Sequence, residues 1–243
     1  MKIIIFSDVH GNLEALHSTL RLIERYPDAR IYSLGDIVGY GANPNECISE
    51  IRKSVHLSLA GNHDHAAIGL TSIEYFNPFA KEAVIWTSKH LDEKDKRYLL
   101  EIPIYKKIDQ KIFMVHSSPF EPEQWHYIIS IRDAKRNFAF FKGQLCFVGH
   151  SHSPMVIGLS PDGNVFQENE EIIQLKAENR YIINVGSVGQ PRDGDWRACL
   201  VIYDDESRII EFKRLEYEVH TTQSKILEAG LPDLLAKRLM YGR

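Results

Sequence analysis

Residues 2–12 read Lys2-Ile3-Ile4-Ile5-Phe6-Ser7-Asp8-Val9-His10-Gly11-Asn12. The run Ile3 to Phe6 is short, apolar and β-branched, which predicts a buried strand over 2–7. Asp8 and His10, both able to hold a metal, follow at once. An amphipathic helix is then predicted over 12–25, from Leu13, Leu16, Leu20 and Ile23 at helical spacing. A strand, a turn rich in polar ligands and a helix open an α/β fold, in which ligands bind beyond the carboxyl ends of strands.

The unit recurs downstream. A short strand is predicted over 30–34, then the loop GDIVGYGANP, then a helix over about 44–53 with Pro44 in its first turn. A third strand over 55–59 ends at GNHDH. The stretch 73–101 reads as helical, with Asp92 as N-cap of its last helix and Pro103 just past the end. From 104 the pattern changes to short strands at 104–108, 111–116, 145–148, 155–159, 164–167, 171–175, 180–185, 197–203 and 208–215. One helix, at about 130–141, interrupts them. The tail is helical at about 221–240, with a break at Gly230 and Pro232. Alternation first and meanders later predict two sheets packed together with helices outside, in one domain over 1–243.

Composition narrows the class. The 243 residues are 44% hydrophobic and 26% charged, ordinary for a folded domain with a sizeable core. The net charge of −4 gives no general attraction to nucleic acid or anionic membranes, so a phosphate site must find its positive charge locally. The opening stretch does not read as a secretory signal, and no run approaches the roughly 20 apolar residues of a membrane span. Cys47, Cys146 and Cys199 have no close spacing. Cys146 and Cys199 sit in apolar runs and read as core residues, which suits a cytoplasmic protein.

Five predicted strand ends carry residues that can hold a metal. They are Asp8 with His10, Asp36 after Gly35, Asn62 within GNHD, His116 after IFMV, and His150 with His152 in GHSH. In extended chain, residues i and i+2 face the same way, so Asp8 and His10 can reach one cation, and His150 and His152 again face one way. Asp36 has two oxygens and can bridge two metals. Asn62 offers a neutral oxygen, and His63 can hold a proton near neutral pH. Singly, each has a plain reading as a turn aspartate, a helix cap or a loop histidine; five in this order do not. His17, His56, His90 and His220 read as surface or packing residues. His65 and His126 lie in loops near the inferred site. Phe120, Trp125, His126 and Tyr127, within 117–127, are read either as a pocket wall suited to stacking or as hydrophobes that anchor the loop.

SDVHGN, GDIVGYG, GNHD, the histidine of VHSSP and GHSH together resemble the calcineurin-like metallophosphoesterase superfamily. IINVGSVGQPRDG, over 182–194, is similar to its bacterial phosphodiesterase branch. The resemblance implies an α/β (α+β) fold, a four-layer αββα sandwich of two mixed β-sheets face to face with helices on the outer faces. It implies two divalent transition-metal ions, manganese first, with iron, zinc, cobalt or nickel also suited to nitrogen and oxygen donors. Asp8, His10, Asp36 and His152 would hold one; Asp36, Asn62, His116 and His150 the other, with Asp36 and a solvent-derived hydroxide bridging. His63 would be the general acid. Asn12 or Arg192 would contact the phosphate, Arg192 having the charge and fork geometry to do so.

Phosphoprotein phosphatases of this superfamily carry G-D-x-V-D-R-G. Gly39 and Tyr40 stand here where that Asp and Arg would be, so an orienting carboxylate for His63 is missing and Asp64 is the replacement to test. The resemblance implies hydrolysis of a phosphodiester or related ester of a small phosphorylated molecule. A dinucleoside polyphosphate hydrolase and, in another class, a non-catalytic interaction module on the same fold are the alternatives. Long nucleic acid is disfavoured by the charge balance.

Overall fold

A computed structural model describes residues 1–243. The chain begins β1 (Lys2–Phe6), α1 (Leu13–Ile23), β2 (Arg30–Ser33), α2 (Pro44–Ser54) and β3 (Leu57–Ser58). Three helices follow: α3 (Asn62–Ala67), α4 (Pro78–His90) and α5 (Glu93–Glu101). Next come β4 (Tyr105–Lys107), β5 (Ile112–Val115), α6 (Ile131–Asn137), β6 (Leu145–Val148), β7 (Met155–Leu159) and β8 (Val165–Glu168). The chain continues through β9 (Ile172–Gln174), β10 (Arg180–Asn184), β11 (Ala198–Asp204) and β12 (Ile209–Leu215), and closes with α7 (Val219–Glu228) and α8 (Asp233–Lys237).

The strands form two six-stranded mixed sheets, ordered β3-β2-β1-β11-β12-β9 and β4-β5-β6-β10-β7-β8. Each contains a parallel triplet, β3-β2-β1 at the edge of the first and β5-β6-β10 inside the second, and the remaining strands are antiparallel. β1 shows why its sequence is apolar throughout. Ile3 and Ile5 pack between the sheets with Met114, Phe147, Ile183 and Val201. Ile4 and Phe6 face the helices, with Leu16 and Ile48. A strand covered on both faces has no reason to alternate with polar residues. The outer face of the second sheet, Cys146, Val148 and Ile182, is covered by Ala134 of α6 and by Phe138 and Phe141 just after it. The layers are those of the expected αββα sandwich.

Three local differences from the sequence reading matter. The strand expected at 55–59 pairs only at Leu57–Ser58, because the chain turns away and the Ala60 N–H donates to the Pro103 carbonyl at 2.8 Å. GNHDH is helical: Asn62 begins α3, with the Asp64 carboxylate accepting from the Gly61 N–H at 2.9 Å. Residues 73–77, expected to be helical, precede the helix; Asn77 caps α4, its side chain accepting from the Ala80 N–H at 3.0 Å.

Candidate metal centre

The carboxyl ends of the two parallel triplets meet, and the turns beyond them carry all seven expected ligand side chains. Asp8 and His10 follow β1, Asp36 follows β2, Asn62 follows β3, His116 follows β5, and His150 and His152 follow β6. All are buried. Asp8, His10, Asp36 and His152 bring ligand atoms within 4.8 Å of one another, as do Asp36, His116 and His150. Asp36 belongs to both groups. Asn62 Oδ1 is buried and has no hydrogen-bond partner.

Hydrogen bonds to backbone carbonyls decide which ring nitrogens are free. His10 Nδ1 lies 3.1 Å from the Val38 carbonyl, His116 Nδ1 2.9 Å from Leu34, and His152 Nδ1 2.6 Å from Gln190. A carbonyl only accepts, so each Nδ1 carries a proton and Nε2 is the inward-facing nitrogen, a lone-pair donor in the neutral His10 and His152 and in His116 once its second proton is released. His150 is reversed: its Nε2 donates to the Trp125 carbonyl at 2.9 Å, leaving Nδ1 free. The His10 and His152 Nε2 atoms stand 3.0 Å apart. Two lone pairs at that distance repel unless a proton or a cation lies between them. Asp8 Oδ1 and His116 Nε2 are also buried without hydrogen bonds. His152 Nε2 is 3.3 Å from Asp8 Oδ1, and His116 Nε2 is 3.4 Å from Asp36 Oδ2. Converging, unpaired nitrogen and oxygen donors without thiolate fit divalent transition metals.

The side chains do not converge through extended backbone, as the i, i+2 argument expected. Asp8, His10, Asp36, His150 and His152 all have left-handed backbone, with φ of +56°, +51°, +51°, +65° and +59°. Non-glycine residues in this region cost roughly 1–3 kcal/mol each, and such strain clusters at functional sites. Neighbouring turns hold it in place: the Asp8 N–H donates to the Gly35 carbonyl and the His10 N–H to Asp36, both at 2.9 Å. Close approach also fixes two glycines. A Cβ on Gly61 would lie 2.0 Å from Asp36 Oδ1, and one on Gly149 would lie 2.6 Å from Asp8 Oδ2.

Electrostatics separate the two carboxylates. Burial pushes Asp8 up to about 7. Burial works the same way on Asp36, but the surrounding His116, His63 and His10 outweigh it and hold its carboxyl well below the usual range. Burial likewise opposes charge on His116, yet Asp36 beside it raises its pKa to about 9. Burial holds His10 and His152 neutral, and lowers His150 to about 3.

His63 lies in the first turn of α3, with its Nδ1 buried and unpartnered. Its ring packs on Tyr40 at 4.5 Å, His10 at 4.9 Å and Phe76 at 5.0 Å. Burial lowers its pKa to about 4. Asp64 does not orient it. That carboxylate accepts from the Val38 N–H at 3.0 Å and from the Gly61 N–H, tying the GD loop to the GNHD turn. Asn12 is held by protein: Oδ1 caps α1 at Ala15 and accepts from Thr222 of α7, and Nδ2 donates to the Gly189 carbonyl. Arg192 Nη2 donates to Gln190 Oε1 at 3.0 Å and lies 3.3 Å from the Tyr40 hydroxyl, with no carboxylate as partner. Tyr40 entered the sequence reading only as a departure from a motif. Its left-handed φ of +55° places its ring 4.6 Å from that of His10. No periodicity or spacing announces that role. Of the 117–127 aromatics, Trp125 and Tyr127 line a cavity beside the centre, while Phe120 anchors the loop against Phe140 and Arg136.

The calcineurin-like phosphoesterase superfamily domain matches residues 1–207. The chain belongs to that superfamily. The metallophosphoesterase of Sphaerobacter thermophilus is 42% identical, with a TM-score of 0.87 over 100% of this chain and 99% of that one. An uncharacterised protein of Methanocaldococcus jannaschii is 40% identical over 99% of this chain and 98% of its own length. A hypothetical protein of Pyrococcus horikoshii shares the fold at 20% identity, with a TM-score of 0.80 over 100% and 98% of the two chains. Membership supports phosphoester hydrolysis with divalent metals as the class of chemistry, and the ligand clusters are where a metallophosphoesterase would use them. No helix of this chain is long and apolar enough to cross a membrane.

Proposed function

We propose that the protein hydrolyses a phosphodiester or related phosphate ester of a small molecule at a two-metal centre. The observation that carries this reading is the facing pair of His10 and His152 Nε2 atoms, 3.0 Å apart with both Nδ1 atoms engaged. Asp8, His10, Asp36 and His152 would hold one metal; Asp36, Asn62, His116 and His150 the other. These donors suit several divalent transition metals, among which manganese is proposed on the family resemblance and not on the donor set. Bound there, two cations supply a nucleophile at neutral pH and stabilise the charge of the phosphoryl group.

The chain's own residues do the rest. Arg192, a guanidinium with no carboxylate partner, takes the non-bridging phosphate oxygens. His63 gives a proton to the leaving oxygen as the bond from that oxygen to phosphorus breaks and a water oxygen bonds to phosphorus. Its depressed pKa works against holding that proton, and the negative charge of an entering phosphate works for it. The three cysteines are buried and unpaired, which supports a cytoplasmic setting. The test is turnover of 4-nitrophenyl phosphate and bis(4-nitrophenyl) phosphate by the manganese-loaded protein. Hydrolysis of at least one is expected; metal bound with neither hydrolysed contradicts the reading.

A further inference from the structure

Beside the centre lies a cavity of about 620 Å³, whose floor includes Asn62, His63 and His150. Its walls come from two separate segments, 70–80 and 123–127. Trp125 joins them, its Nε1–H donating to Thr71 Oγ1 at 3.2 Å. Trp125 holds a left-handed φ of +56°, a strained backbone for so bulky a residue.

The lining is aromatic and almost without charge. Phe76 abuts His63, and Tyr127 stacks on His150 at 4.0 Å with 16° between the rings. Tyr75 is 92% exposed at the rim, a large aromatic side chain spent on solvent. Apart from histidine, Glu123 is the only ionisable acid or base in the lining other than the tyrosines, and no Lys or Arg is present. Arg192 is not itself in the lining but touches one edge of it, its Nη2 lying 3.3 Å from the hydroxyl of the lining residue Tyr40.

From this asymmetry we infer that the cavity receives the leaving group, and that this group is an uncharged aromatic alcohol of about nucleoside size. The inference rests on the phosphoesterase reading above and on His63 being the proton donor, since the alcohol that takes the proton departs toward His63 and its neighbour Phe76. Flat rings with no cation accept a nucleobase by stacking. A leaving group that still carried phosphate would meet Glu123, while the adjacent cation, Arg192, is already assigned to the phosphate being cleaved. The cavity therefore favours esters of a nucleoside over a dinucleoside polyphosphate.

The test compares esters of matched primary alcohols. Manganese-loaded protein is assayed on adenosine 5′-monophosphate, glycerol 1-phosphate and adenosine 5′-diphosphate, and on the methyl diesters of the first two. The proposal predicts kcat/KM about tenfold or more higher for the adenosine ester than for the glycerol ester, the worth of one base stacked on an aromatic ring. Tyr75→Ala should narrow that ratio, and Glu123→Lys should shift preference toward the diphosphate. Calorimetry with adenosine on metal-free protein should show binding that Tyr75→Ala weakens. Hydrolysis that does not distinguish adenosine from glycerol esters, or that prefers the diphosphate in the unaltered protein, would overturn the inference. Adenosine binding with no ester hydrolysed would support the cavity's role and overturn the hydrolase reading instead.

Discussion

Asp8, His10 and His152 are at most 2% exposed; in the second group His116 is fully buried, but Asn62 and His150, at 7% and 5%, form part of the floor of an open cavity. The first group is sealed and its rings are oriented by the Val38 and Gln190 carbonyls. In the second, His150 takes its orientation from the carbonyl of Trp125, a residue that also walls the cavity. The same kinds of donor thus serve two settings. On the two-metal proposal, the enclosed position would keep its cation and the open one would share its cation with substrate. Asp36, common to both groups, couples them.

The largest way to break this comparison is Asp36→Asn. Losing the shared carboxylate should disturb both positions at once and lower kcat/KM on the order of 10³-fold or more, because metal stabilisation is worth several kcal/mol. Retention of two metals and most of the turnover would show that the groups are independent. His63→Asn sharpens the comparison at the open side. It should lower kcat by about 10²-fold or more on alkyl esters and less on nitrophenyl esters, whose leaving groups need little protonation. Metal content should stay unchanged; an equal loss on both ester types would remove the acid role.

Proton linkage gives a smaller effect. In metal-free protein His116 is raised to about 9 by Asp36 against its burial, while His63 and His150 are lowered by burial to about 4 and 3. A raised histidine stabilises fully below its unfolded pKa, about 6.5, and that stabilisation is lost as pH rises through 9. The lowered histidines cost stability only as pH falls below about 6.5. The Tm of metal-free protein should therefore fall from about pH 6.5 to 9, and saturating metal should flatten that fall. A metal-free Tm that rises across the window would count against the charge arrangement. The smallest effect expected is that of Asn12→Ala, which removes the α1 cap and the tie to Thr222. It should cost about 1 kcal/mol and lower Tm by roughly 2–4 °C. A large change in KM with unchanged Tm would instead make Asn12 a substrate contact.

Much of this was legible in the sequence. The run KIIIF and the polar turns after five strands identify which residues lie at strand ends, because strand period and ligand chemistry are local properties. The means of convergence were not legible. Asp8, His10, Asp36, His150 and His152 are held in left-handed backbone by hydrogen bonds between turns distant in sequence, such as Asp8 N–H to the Gly35 carbonyl. Asp64 carried the right chemistry to orient His63 but is consumed by Val38 and Gly61. Tyr40 is placed by its own left-handed backbone, and the cavity walls depend on the meeting of segments 70–80 and 123–127, which no spacing encodes.

Electron paramagnetic resonance of the manganese-saturated protein tests the central claim most directly. Two ions sharing Asp36 must lie close enough to couple, about 3.5–4 Å apart in sites of this kind. The account predicts the multiline spectrum of a coupled Mn²⁺ pair, lost in Asp36→Asn. A six-line signal from isolated Mn²⁺ at full loading would contradict it.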